Sequence, residues 1–113
     1  MPHIDEIAFA KLVCNGKVYR APSLVYRDVV DGRWWRKEGM AFSPEDFDDV
    51  IKMKPEVVVL GTGFSNAIQV KDETKTRFEK EGIEYIVAKT PEAVEKYNEL
   101  LSKRRVVGAF YLM

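Results

Sequence analysis

The 113-residue chain has one cysteine, one histidine, no surplus of either charge and no long apolar run. A lone Cys14 excludes an intrachain disulfide and any zinc site built on cysteines. Its setting, Leu12-Val13-Cys14-Asn15-Gly16, reads as a strand entering a turn, so a packed, inert thiol is expected. His3, the single histidine, stands near the N-terminus, where nothing orients an imidazole for a Ser-His-Asp or Cys-His set. The 18 basic and 18 acidic residues cancel. That balance removes the long-range field that drives non-specific binding to nucleic acid or acidic membranes. No apolar stretch reaches the ~18 residues of a membrane span. Asp5 and Glu6 occupy the place where a secretory leader has basic residues followed by an apolar run, so a cytoplasmic protein is expected. Asp46, Asp48 and Asp49 lack the spacing and glycine of a calcium loop and read as the solvated face of a first helical turn. No catalytic set, metal site or cofactor motif emerges.

What is there is enough for one core. Hydrophobic residues make up 46% of the chain, which carries no repeat and no linker, so residues 1–113 read as a single domain. The character changes once, near Ser43. Before it, residues 6–13 and 17–20 flank Asn15-Gly16, the dipeptide of a type I′ hairpin. Leu24-Val25-Tyr26 with Val29-Val30 reads as one further strand. Asp31-Gly32 is a second turn signal of the same kind, leading into Arg33-Trp34-Trp35-Arg36. This half is expected to be an antiparallel meander.

After Ser43, strands and helices alternate. Ser43-Pro44-Glu45-Asp46 opens a short helix that ends near Lys54, before Pro55. Val57-Val58-Val59-Leu60 is an unbroken apolar run, the mark of a strand covered on both faces. A polar helix is expected from a cap at Asp72 to Gly82, then a strand over 83–88. Thr90-Pro91-Glu92 opens a helix whose Ala93, Val94, Tyr97, Leu100 and Leu101 share a stripe. Residues 106–113 contain no charge, so they belong inside the sheet, with Gly108 and Ala109 letting a helix come close. The order predicts an α/β fold: a three-layer single domain, with a β-rich N-terminal meander and a β-α-β-α-β core.

Two segments stand out as candidate binding residues. Gly61-Thr62-Gly63-Phe64-Ser65-Asn66 follows a strand directly, where open α/β sheets bind ligands. Its glycines can turn N–H groups outward as an anion nest, with Thr62 and Ser65 adding hydroxyls. The third glycine of a dinucleotide fingerprint is replaced by Asn66, and the next helix starts only near Asp72, which excludes a nicotinamide or flavin dinucleotide. A tight turn at a strand end and a small-anion site both remain readings of this loop. In Arg33-Trp34-Trp35-Arg36-Lys37, strand alternation would set Trp34 and Arg36 on one face and Arg33, Trp35 and Lys37 on the other. These residue types are those of binding hot spots, and also of a charge-protected edge strand. Asn98 reads as a residue that hydrogen-bonds a nearby loop.

Several segments, in order, carry a resemblance: Gly16-Lys17-Val18-Tyr19, Arg33-Trp34-Trp35-Arg36, Pro55 to Gly63, Gly82-Ile83, Thr90-Pro91-Glu92-Ala93, Tyr97-Asn98 and Arg105-Val106-Val107-Gly108-Ala109. Together they resemble the adipogenesis-associated Mth-type domain family, which includes mitochondrial respiratory complex I assembly factor 3. The resemblance implies a three-layer fold with a mixed central sheet whose last strand is internal and antiparallel to its neighbours. It implies no established enzymatic activity, and its eukaryotic members look like assembly or regulatory factors. Family members often carry glycine where Asn66 stands.

Two functions follow as expectations. One is a non-catalytic interaction or assembly module using Trp35 and Arg36, with another protein as partner. The other is a small-anion pocket on Gly61, Thr62, Gly63, Ser65 and Asn66, with Arg33 or Arg36 neutralising the ligand. An exposed aromatic edge fits a monomer or a weak homodimer.

Overall fold

The computed structural model describes residues 3–26 and 29–113. Strands β1 (Ile4–Ala8), β2 (Lys11–Cys14) and β3 (Lys17–Tyr19) form a small antiparallel sheet with β2 in the middle. The β2–β3 turn takes the expected form, with φ of 53° at Asn15 and 77° at Gly16. The meander is nonetheless not one sheet. β4 (Ser23–Tyr26) and β5 (Val29–Asp31) leave it, and rather than forming one strand they pair antiparallel with Tyr26 opposite Val29. Residues 27 and 28, between them, lie outside the described residues.

The second half follows as β6 (Ala41–Phe42), a 3₁₀ turn at Pro44–Phe47, α1 (Asp48–Lys52), β7 (Val57–Gly61), β8 (Gln69–Val70), α2 (Asp72–Lys80), β9 (Glu84–Ala88), α3 (Thr90–Leu100) and β10 (Val106–Phe110). The two-residue β6–β8 ladder carries no sequence signal, because a pair this short has no periodicity to read. At the 3₁₀ turn the Asp46 carboxylate accepts the Ser43 N–H at 2.8 Å, while the Ser43 hydroxyl donates to Glu38 at 3.2 Å. α2 begins at Asp72, one residue after its N-cap Lys71.

The main sheet has the order β5-β4-β10-β7-β9. β10 is internal, as its lack of charge requires, antiparallel to β4 and parallel to β7. The antiparallel relation therefore holds towards one neighbour only: β7, β9 and β10 are all carried in one direction by helical crossovers. Alternation along β7 divides the core, with Val57 and Val59 on one face and Val58 and Leu60 on the other. The first face is covered by β1, β2 and α3, through Ile4, Leu12, Cys14, Ala93, Val94 and Tyr97. The second is covered by α1, α2 and an aromatic cluster in which Phe47 lies 5.4 Å from Trp34, 5.9 Å from Phe42 and 5.0 Å from Phe78, centroid to centroid. The result is three layers. Among the described residues, no helix is long and apolar enough to cross a membrane.

Gly108 sits where α3 crosses β10. A Cβ there would lie 2.4 Å from the Phe110 ring and 3.0 Å from Tyr97 Cδ1, so the two rings occupy the space of the missing side chain. Ala109 faces the opposite core, so only Gly108 serves the close approach of α3. Gly108→Ala is expected to destabilise the fold by about 1–3 kcal/mol through overpacking, read from a denaturant midpoint. A chain lacking 106–113 is expected to lose its cooperative melt. In the intact protein the amides of Val107, Gly108 and Ala109 should rank among the slowest to exchange.

Candidate functional site

β7, β9 and β10 end together, and the loop after β7 organises that tip. Gly63 has φ of +104°, and a Cβ on it would come within 2.6 Å of the Met113 carbonyl oxygen. The tight backbone approach serves the fold, since the loop N–H groups point into the protein. Thr62 N donates to the Ala88 carbonyl at 3.0 Å, Gly63 N to Thr90 Oγ1 at 2.9 Å and Phe64 N to the Met113 carbonyl at 2.8 Å. Thr90 completes the knot: its hydroxyl donates to the Tyr111 carbonyl at 2.6 Å and its N–H to the Gly63 carbonyl at 3.0 Å. An outward anion nest over Gly61, Thr62 and Gly63 is therefore not what the loop forms. Thr62 is buried and donates through Oγ1 to Asn66 Oδ1 at 2.7 Å. Asn66 takes the left-handed conformation expected of it, with φ of 55°, and Ser65 is exposed.

The loop divides the tip into two surfaces. On the β10 side, the Phe64 ring packs edge-on against Phe9 at 5.8 Å, and Ala10 N donates to the Leu112 carbonyl at 2.6 Å. The Arg-Trp segment joins this side, because Trp34 N donates to the Pro22 carbonyl at 3.0 Å, next to Ser23 opposite Phe110. Residues 33–37 are not a strand. Asp31 turns the chain by accepting the Arg33 N–H at 3.1 Å, and Gly32, whose φ is not positive, makes room for the Tyr19 ring rather than a type I′ turn. The division of labour between the tryptophans holds: Trp34 is buried and Trp35 exposed.

Arg36 lies over Tyr111 (5.3 Å), Phe42 (5.8 Å) and Trp34 (6.0 Å), ring centroid to guanidinium carbon, and donates to the Gly39 carbonyl at 2.9 Å. Burial pushes its pKa down, opposed by Asp46. Arg36 thus reaches the loop only through Tyr111. Arg33 lines a separate open groove of about 720 Å³ at the β5 edge, with Tyr19 and Arg20. The structure does not bring either guanidinium to Thr62 or Asn66.

The second surface is a cleft between the ends of β7 and β9. These strands are adjacent and parallel, yet the helix after β7 packs on one face of the sheet and the helix after β9 on the other. Loops that leave neighbouring strands in opposite directions open a crevice between them. Here the crevice measures about 440 Å³, and its polar lining is Thr62, Asn66, Lys75, Lys89 and Glu92. Lys75 and Lys89 take part in no ion pair among the described residues. Sequence reasoning missed both lysines: each reads as ordinary surface charge, and only the crossing of α2 and α3 brings them to one opening.

Other singled-out residues have structural duties. Asp46 accepts the Lys37 N–H at 2.8 Å in addition to that of Ser43, and Asp48 accepts from Arg77 at 2.5 Å. His3 lies 3.6 Å from Asp5 at an exposed site. Asn98 clasps a strand rather than a loop, accepting the Ile4 N–H and donating to the Ile4 carbonyl, both at 3.0 Å. Cys14 is buried, and burial, reinforced by Asp5, raises its pKa.

A family model described as a protein of unknown function (DUF498/DUF598) matches residues 4–112. The chain belongs to that family. The DUF498/DUF598 fold recurs in solved structures, among them a conserved hypothetical protein from Pyrococcus horikoshii (TM-score 0.87, 21% identity, 97% of this chain and 98% of that one). A protein described as an outer membrane protein of Bartonella henselae is similar at TM-score 0.82 and 21% identity, over 98% of this chain and 94% of that one. A Bordetella pertussis protein described as a Mth938-like domain is similar at TM-score 0.70 and 16% identity, over 98% of this chain and 85% of that one. The Mth-type resemblance and the three-layer fold stand on these findings.

Thr90→Val is expected to leave the Gly63 N–H and the Tyr111 carbonyl unpaired in a buried position, costing about 1–3 kcal/mol in chemical unfolding, with Thr90→Ser close to wild type. The Cys14 thiol is expected to resist an aromatic disulfide reagent at neutral pH in the native protein and to react at once when unfolded.

Proposed function

We propose that this protein is a non-catalytic interaction module of the assembly type, docking another protein through the apolar side of its tip. The observation that carries the reading is the set of large apolar side chains left in water there: Phe9 is 66% exposed and Met113 49%, with Phe64 between them, and Trp35, next to Arg36 on the Tyr111 ring, is 76% exposed. Isolated exposed apolar residues are ordinary, but a cluster around one edge matches docking sites. Tryptophan and arginine are the residue types that anchor interfaces. Trp35 stands next to Arg36, whose guanidinium lies over the Tyr111 ring, so the favoured partner offers an apolar socket with a carboxylate at its rim. A cytoplasmic setting fits the reading, since a lone reduced thiol such as Cys14 needs no partner there.

The test is capture from the native host by the wild-type chain and by Trp35→Ala combined with Phe9→Ser. Trp35 is exposed and Phe9 loses only its edge-on contact with Phe64, so the variant should stay folded at a cost of about 0.5–1.5 kcal/mol. Its capture of the partner should fall at least about tenfold. Equal recovery by both chains, or no specific partner for either, refutes the reading. If the wild type sediments as a dimer and the variant as a monomer, the partner is a second copy.

A further inference from the structure

We infer that the cleft between β7 and β9 binds a small organic anion, a carboxylate or phosphate ester carried on a short aliphatic body. This inference is independent of the docking surface, which lies on the other side of the loop.

The first argument is topological. The cleft opens at the one place in the parallel part of the sheet where neighbouring strands send their helices to opposite faces. In open α/β sheets ligands bind at the carboxyl ends of the strands, and here the loop after β7 leaves for α2 on one face while the chain after β9 enters α3 on the other. The volume of about 440 Å³ falls within the range of small-molecule sites.

The second argument is chemical. Lys75 comes from α2 and Lys89 is the N-cap residue of α3, and Glu92 is the remaining charge on the lining. Two ammonium groups against one carboxylate leave a net single positive charge. Neither Lys75 nor Lys89 is in an ion pair among the described residues, so both ammonium groups are available to an anion that enters the cleft. Asn66 is held by the Thr62 hydroxyl through its Oδ1, so its amide NH2 remains as a neutral donor on a fixed stem. Asn66, in the left-handed conformation that asparagine adopts readily, lies on the cleft lining.

The third argument concerns the rest of the wall. Ile68, Val70 and Val87 line the same cleft, and Val87 is left 44% exposed on the edge strand. Apolar side chains beside unpaired ammonium groups fit a ligand with an anionic head and an aliphatic body better than a bare inorganic ion. Glu92 can accept a hydrogen bond from a hydroxyl on the ligand.

The experiment is a titration of the isotope-labelled full chain, followed by amide chemical shifts. The probes are hexanoate, hexyl phosphate, hexanol and inorganic phosphate. The expected result is a saturable shift of the Asn66, Lys75, Val87 and Lys89 amides with hexanoate, hexyl phosphate or both. Hexanol and inorganic phosphate should bind at least about tenfold more weakly, since each lacks one half of the contacts. Response to only one organic anion identifies the head group as carboxylate or phosphate. K75Q combined with K89Q should weaken binding about tenfold and leave the melting temperature unchanged, because neither lysine has an internal partner to lose. Added salt should weaken binding in the wild type and not in the double variant. The inference fails if neither organic anion shifts these amides, if inorganic phosphate binds as well as they do, or if the double variant binds like wild type.

Discussion

The pairing of β10 between β4 and β7 is the constraint on which the rest of the molecule depends. A strand with hydrogen-bonded neighbours on both edges and packed layers on both faces has no contact with water for its backbone, so charge is excluded along its whole length. It joins the N-terminal hairpin β4–β5 to the crossover half of the chain, and it aligns the ends of β7 and β10 at one tip. Gly108 on one face and the Phe110 and Tyr97 rings above it convert that pairing into close contact with α3.

From this alignment the tip inherits its form. The segment after β10 lies beside the loop after β7, and Thr90 at the start of α3 bridges them by hydrogen bonds to both. These bonds consume the N–H groups that a glycine-rich loop offers to an anion in other folds. The loop is therefore a rigid divider. One side carries Phe9, Phe64 and Met113, and the other carries ammonium and amide groups around Asn66.

The relatives of similar fold share only about a fifth of their residues with this chain. Burial explains how the fold survives that divergence. The two cores need apolar volume and alternation, which many sequences supply. The knot at the tip relies largely on backbone groups, with Thr90 contributing the essential side chain. The exposed residues of both tip surfaces are under no such packing constraint, so the fold by itself carries no activity with it.

Local physics and patterning are written in the chain directly. The unbroken apolar run 57–60, the chargeless run 106–113 and the Asn15-Gly16 turn each have one good structural solution, and the three-layer order follows from them. Which N–H groups face outward, which strand β4 and β5 join, and which lysines meet were decided only by tertiary structure. The Arg-Trp segment alternates like a strand, yet it forms no ladder, because the turn at Asp31 takes the Arg33 N–H and the Pro22 carbonyl takes that of Trp34. Lys75 and Lys89 look like solvated surface charge because nothing within a few residues of either distinguishes them. Their meaning comes from two helices crossing opposite faces of one sheet, a long-range relation that no local window contains.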